Sequence, residues 1–146
     1  MTYNEQRTKL LQALSVLEKE NPITSVSAPT DIYGTIRKYG KKKQEHFIVI
    51  CLNGAHQVIK VKVITIGVLN RCLVHPREVF RPAIINNSSA IIIAHNHPSG
   101  NTEPSKDDDQ ITKMLKEAGT ILGIEVLDHL IITETKFYSY LEEGKL

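Results

Sequence analysis

The sequence has no tryptophan, two cysteines and two methionines, and aromatic residues make up only 5% of it. Cys51 and Cys72 stand alone, with no Cys-x-x-Cys spacing. Core thiols in a reducing compartment fit that better than a disulfide framework or a cysteine zinc ribbon. No apolar run approaches the ~20 residues of a membrane span, and the polar, charged start does not read as a signal peptide. A cytoplasmic protein is expected. Charge of one sign is also lacking: 18 basic against 16 acidic side chains leave a net charge of +2, too little to argue for nucleic acid by itself. Repeats and low-complexity segments are absent. What remains is 146 residues, 41% hydrophobic and 23% charged, enough for one globular domain with a proper core.

The informative stretch is Ala94-His95-Asn96-His97-Pro98-Ser99-Gly100, followed by Ser105-Lys106-Asp107-Asp108-Asp109. It follows the most apolar run of the chain, residues 90–94, which reads as a buried strand. Alternation along a strand puts His95 and His97 on one side and Asn96 on the other. Pro98 cannot donate to a ladder, so the pair is left at the strand's rim. From Ser105 a helical pattern places Ile111, Met114, Leu115, Ala118 and Leu122 on one stripe, with Asp108 in the first turn. Two imidazoles and a carboxylate suit zinc with one position open for water. The same residues also read as a polar strand end beside a capping box from Ser105 to Asp108. Spacing alone leaves both readings open.

The string His-x-His, seven residues, Ser, two residues, Asp resembles the signature of the JAMM (MPN+) metalloproteins. Here it is His95, His97, Ser105 and Asp108. The fuller string His-Asn-His-Pro-Ser-Gly resembles the RadC branch, as do Val74-His75-Pro76-Arg77-Glu78 and Asp128-His129-Leu130-Ile131-Ile132. The resemblance runs from about residue 23 to the C-terminus. It implies a domain at 23–146, and the N-terminal helix at 1–22 lies outside it. It further implies an α+β, MPN/JAB-like fold (cytidine-deaminase-like and layered), a sheet flanked by helices. His95, His97 and Asp108 would hold Zn2+. Glu45, in Gln44-Glu45-His46-Phe47, matches the general base, and Ser105 the oxyanion donor.

The rest of the chain is consistent with that layout. Residues 4–19 read as a helix with Leu10, Leu11, Leu14 and Leu17 on one stripe, ended by Asn21-Pro22. It could pack on the domain or on a second copy, as in a homodimer. RadC-like chains commonly carry a helix-hairpin-helix region before the metal domain, and residues 1–22 do not match that module. That weakens an inherited link to DNA. A short helix at 30–38 leads into Arg37-Lys38-Tyr39-Gly40-Lys41-Lys42-Lys43, either a phosphate-binding patch or a solvated loop. Strands follow at 45–52 and 57–66 around an Asn53-Gly54 turn. A loop at 67–73 comes next, then a helix at 76–86 with Val79, Phe80, Ala83 and Ile84 inward and Pro82 kinking or shortening it. Gly123 should stop the Ser105 helix, and strands at 125–133 and 136–140 close the chain. His75 and His129 read as scaffold, with an Asp128–His129 hydrogen bond as one means of orienting either side chain. His46 and His56 read as strand-face and hairpin residues.

The function class implied is hydrolysis of a peptide or isopeptide bond by a zinc metallopeptidase. Two other classes stay open: a DNA-associated repair or mobile-element protein, such as a metal-dependent nuclease, and a non-catalytic MPN scaffold. The expected partner is an unidentified protein or peptide substrate, with weak DNA binding at most and no membrane.

Overall fold

A computed structural model describes residues 1–20, 25–68 and 73–146, with side-chain surroundings omitted for 14–20. The elements are α1 (Tyr3–Glu20), α2 (Pro29–Ile36), a 3-10 turn (Arg37–Lys41), β1 (His46–Leu52), β2 (Val58–Ile66), α3 (Pro76–Ile85), β3 (Ala90–Asn96), α4 (Lys106–Leu122), β4 (Glu125–Ile132) and β5 (Phe137–Ser139). The expected stop at Asn21-Pro22, the Leu14 and Leu17 side chains, and Cys72 lie outside the described residues.

The strands form one mixed sheet in the order β2-β1-β3-β4-β5. Among the described residues only β3 and β4 run parallel, and α4 makes the crossover between them. The other neighbours are antiparallel. This is the expected α+β arrangement, a sheet flanked by helices.

β1 and β3 are covered on both faces because they sit between neighbours with helices above and below. Their side chains therefore divide between two cores. Phe47, Val49, Cys51, Ile91 and Ile93 pack with Val79 and Phe80 of α3 and Ile111 and Leu115 of α4. Ile48, Ile50, Leu52, Ile92 and Ala94 pack with Ile32 and Ile36 of α2. Each buried aliphatic side chain contributes roughly 1.5–3 kcal/mol of transfer free energy. Burial also pushes the Cys51 thiol above its ordinary range, in keeping with a core role.

Two details depart from the periodicity reading. Ile84 is 54% exposed, since the inward arc of α3 is taken by Val79, Phe80, Pro82 and Ala83. Leu122 keeps the phase of its stripe but is the last residue of α4, and it is 48% exposed. Pro82 is buried inside α3, which continues past it to Ile85. On α1, Leu10 and Leu11 are 61% and 55% exposed. Among the described residues, no helix is long and apolar enough to cross a membrane.

The ends of α4 fix where its first turn lies. Gly123 takes φ 70, and the Ile124 N–H closes back on the Gly119 carbonyl at 3.0 Å. Gly119 is needed for a second reason: a Cβ there would stand 2.5 Å from the Ile124 carbonyl oxygen. Gly119→Ala should cost about 1–3 kcal/mol through overpacking, read as a lowered denaturation midpoint. Gly34→Ala in α2 opens onto free space and should be neutral or slightly stabilising in the same measurement.

Candidate metal centre

β3 ends at Asn96, as the proline after His97 requires, and the chain turns before α4 begins. Ser105 caps α4: its Oγ accepts from the Asp108 N–H at 3.0 Å, and Asp108 Oδ2 accepts from the Ser105 N–H at 2.9 Å. The capping box is thus real, and it does not compete with the other reading. It aims the Asp108 carboxylate back at the end of β3. His95 Nε2 stands 3.1 Å from Asp108 Oδ1, and His97 Nε2 3.2 Å from Oδ2. The two Nε2 atoms are 3.0 Å apart. His95 and Asp108 are buried, and His97 is partly so.

Second partners on each ring decide which nitrogen faces the cluster. His97 Nδ1 lies 2.7 Å from the Asn101 carbonyl, which can only accept, so Nδ1 carries the proton. His95 Nδ1 lies 2.8 Å from His129 Nε2. His129 Nδ1 in turn lies 2.5 Å from Thr112 Oγ1, which is 2.7 Å from the Asp108 backbone carbonyl. Tyr140 stacks flat on His129, with centroids 4.9 Å apart, and donates its hydroxyl to Asp109 at 2.7 Å.

Electrostatics follow the same geometry. Burial alone would raise the Asp108 pKa, but hydrogen bonds from His95 and His97 outweigh it and hold the carboxyl far below its usual range. Burial depresses His97, yet Asp108, the Asn101 carbonyl and Glu45 together leave it raised. Burial pulls His129 well below the ordinary imidazole range.

Two imidazole nitrogens and a carboxylate therefore converge on one point. A cation fits. The two Nε2 atoms, 3.0 Å apart, each stand beside a different oxygen of the Asp108 carboxylate, at 3.1 and 3.2 Å, a donor set that suits zinc. His95, His97 and Asp108 are the group of residues that could hold a metal ion.

Glu45 lies just outside β1. Continuing the β1–β3 register two residues past the Phe47–His95 pair sets Glu45 across from His97, on the face that carries both histidines. Asn96, between the two histidines, is fully buried on the opposite face. Its Oδ1 accepts from the His46 N–H at 2.6 Å, and its Nδ2 donates to the Gln44 carbonyl at 3.0 Å. The residues on both sides of Glu45 are thus tied to β3. A groove of about 430 Å³ brings Glu45, His97, Ser105 and Asp108 together, with Glu103 and Asp107 on its wall. A larger groove, about 680 Å³, lies beside α4 near Lys116 and contains none of the three donors. Its size carries no chemistry.

Other expectations fare differently. The Asp128 carboxylate accepts from the backbone N–H of His129 at 2.7 Å, because strand alternation points the ring to the other face. Its remaining partners are the Ser139 hydroxyl and the Leu141 N–H. His75 is exposed at the start of α3 and makes no side-chain cap. His129, read from the sequence as scaffold, touches His95 directly. Thr112 and Tyr140 carried no local signal at all.

With this geometry in view, the comparisons with known proteins agree. The RadC-like JAB domain family matches residues 26–145, and the chain belongs to that family. It is 52% identical over 124 residues to a UPF0758 protein of Methanospirillum hungatei, covering 85% of this chain and 52% of the relative. A UPF0758 protein of Rubrobacter xylanophilus is 46% identical over 122 residues, covering 83% and 53%. One from Chlorobium phaeovibrioides is 40% identical over 147 residues, covering 95% and 66%. The chain spans about half the length of the first two relatives.

If the three donors hold zinc, purified protein should carry about one equivalent. The double change His95→Ala with His97→Ala should abolish it in elemental analysis, since a lone carboxylate is a poor zinc site.

Proposed function

We propose that the chain is a zinc-dependent hydrolase of amide bonds, peptide or isopeptide. The observation that carries this reading is the pairing of a three-donor cluster with a carboxylate, Glu45, held opposite it on the same face of the sheet. Zinc, when bound, supplies a Lewis acid that polarises a carbonyl and lowers the pKa of water. Glu45 accepts the proton of the attacking water and returns it to the leaving amine, serving as base and then acid. Ser105 Oγ lends a lone pair to the Asp108 N–H, so capping does not consume its hydroxyl proton. That proton can be donated to the developing oxyanion. Cap and catalytic donor are compatible roles.

A second reading, a DNA-associated metal-dependent nuclease, draws on one observation: Lys41, Lys42 and Lys43 line a groove of about 500 Å³ with His97 and Pro98. Three lysines can neutralise few phosphates, so any DNA binding should be weak and should collapse by physiological salt. Tight binding that persists at about 0.15 M salt would reverse the ranking. The third reading, a non-catalytic scaffold, has no use for a complete donor set.

Glu45→Gln keeps shape and hydrogen-bonding capacity but cannot take a proton. It should leave zinc content and thermal stability close to wild type, while hydrolysis in a peptide-library screen falls at least ~100-fold. Asp108→Asn should lose zinc and stability together, because a bound metal stabilises the fold that holds it. A Glu45→Gln protein that loses its zinc would make Glu45 a ligand and sink the mechanism. Unchanged activity would move the base to Glu103 or Asp107.

A further inference from the structure

Two grooves meet at the rim of the metal centre, and they carry opposite charge. His97, Pro98 and Ser99 line both. On one side Glu45, Glu103 and Asp107 line the groove of about 430 Å³. On the other, Lys41, Lys42 and Lys43 line the groove of about 500 Å³, together with one carboxylate, Glu134. We infer that the lysine groove selects the substrate, receiving acidic side chains of a peptide that lies across the metal centre. This inference rests on the amide-hydrolase reading above and names a substrate class for it.

The lysines are carried on backbone that is fixed to the site. Asn96, fully buried between the two histidines, donates from Nδ2 to the Lys42 carbonyl at 3.3 Å as well as to that of Gln44 at 3.0 Å. The opposite wall, residues 133–135, is fixed too. Tyr33 and Arg37 donate to the carbonyls of Thr133 and Glu134 at 2.9 and 3.1 Å. Gly40 lies so near this turn that a Cβ there would run into the Thr133 carbonyl. Beside it the His97 N–H donates to the Ile132 carbonyl at 3.0 Å. Main-chain contacts therefore set the width of the groove, and the lysine side chains are its adjustable part.

Charge decides what the groove accepts. Lys41, Lys42 and Lys43 are exposed, and among the described residues none of them is in an ion pair. Three consecutive like charges repel one another, and an anionic partner relieves that repulsion. A nucleic acid strand carries a phosphate at every step, so its charge would run on from the lysines past Glu103 and Asp107, where it is repelled. A peptide sets carboxylates only where the lysines are and leaves neutral or basic residues for the acidic groove. Glu134 limits how far a run of carboxylates can extend. The opposed grooves thus suit a peptide of mixed sequence better than a uniform polyanion.

The test is fluorescence anisotropy at low ionic strength, where exposed charges are least screened. The probes are a labelled peptide of alternating glutamate and glycine, its glutamine counterpart, and an oligothymidylate of equal charge. The triple change Lys41→Ala, Lys42→Ala, Lys43→Ala is set beside Lys113→Ala, Lys116→Ala, Lys145→Ala, which removes the same charge from the groove along α4. All six side chains are exposed, so both variants should fold. Wild type should bind the glutamate peptide in preference to the other probes. The first triple change should weaken that binding about tenfold, and the second should leave it close to wild type. In a peptide-library digest, acidic residues should be enriched on one side of the cleaved bond. Equal binding of the glutamate and glutamine peptides would overturn the inference, as would equal losses in the two variants. Tighter binding of the oligothymidylate, lost with the same lysines, would make the groove a nucleic acid site instead. Cleavage without acidic preference would overturn the inference and leave the hydrolase reading standing. Lysine-dependent peptide binding with no cleavage of any peptide would do the reverse.

Discussion

A buried carboxylate has to be accounted for by its neighbours, and the Asp108 carboxylate is accounted for three times over. It receives His95 on one oxygen and His97 on the other, and the second oxygen also receives the Ser105 N–H. Two of these partners belong to the end of β3 and one to the residue that caps α4. The side chain therefore holds a strand terminus and a helix terminus against each other. Left without these contacts it would be a desolvated charge, costing several kcal/mol. The helix start, the loop that leads into it and the histidine pair form one electrostatic unit.

Topology explains why this unit exists at this point of the molecule. Among the described residues β3 and β4 are the one parallel pair, and a parallel pair requires a crossover, here α4. The carboxyl end of β3 is then followed by a loop and a helix N-terminus that sits above it. This is the general location of sites in sheets with parallel strands. The antiparallel neighbour β1 enters from the opposite direction, so its amino end, next to Glu45, arrives at the same rim. The far member, β4, brings His129 up beneath His95. Three neighbouring strands meet there, β3 and β1 by their ends.

Much of this was legible in the sequence because it depends on short-range rules. Alternation placed His95 and His97 together, Pro98 marked the strand end, and Ser105 with Asp108 marked the helix start. Glu45 required more, since its position opposite His97 depends on the β1–β3 register, and only the family resemblance supplied it. His129 and Thr112 were out of reach. Their meeting depends on the parallel register and on the rotation of α4, and a buried threonine in an amphipathic helix has no periodic signature. The Asp128–His129 proximity was misleading for the opposite reason: adjacent residues of a strand have opposed side chains. The exposed Ile84 shows the same limit, because a stripe marks helix phase and not how far the opposing surface extends.

Asn96 shapes how this rim can vary. It sits between the two histidines in the chain, with its side chain on the other face, and it grips the backbone on both sides of Glu45. The backbone interval from Glu45 to the histidines is thereby set within β3 and its neighbour, while the Asn101 carbonyl fixes the His97 ring. Side chains along the 99–104 segment can change while that backbone spacing, and the backbone carbonyl of Asn101, stay in place. The fold separates the exposed side chains of the rim from the backbone ties that fix its geometry. Divergent copies of this domain could therefore acquire new targets by remodelling loops alone, with the same chemical ruler underneath.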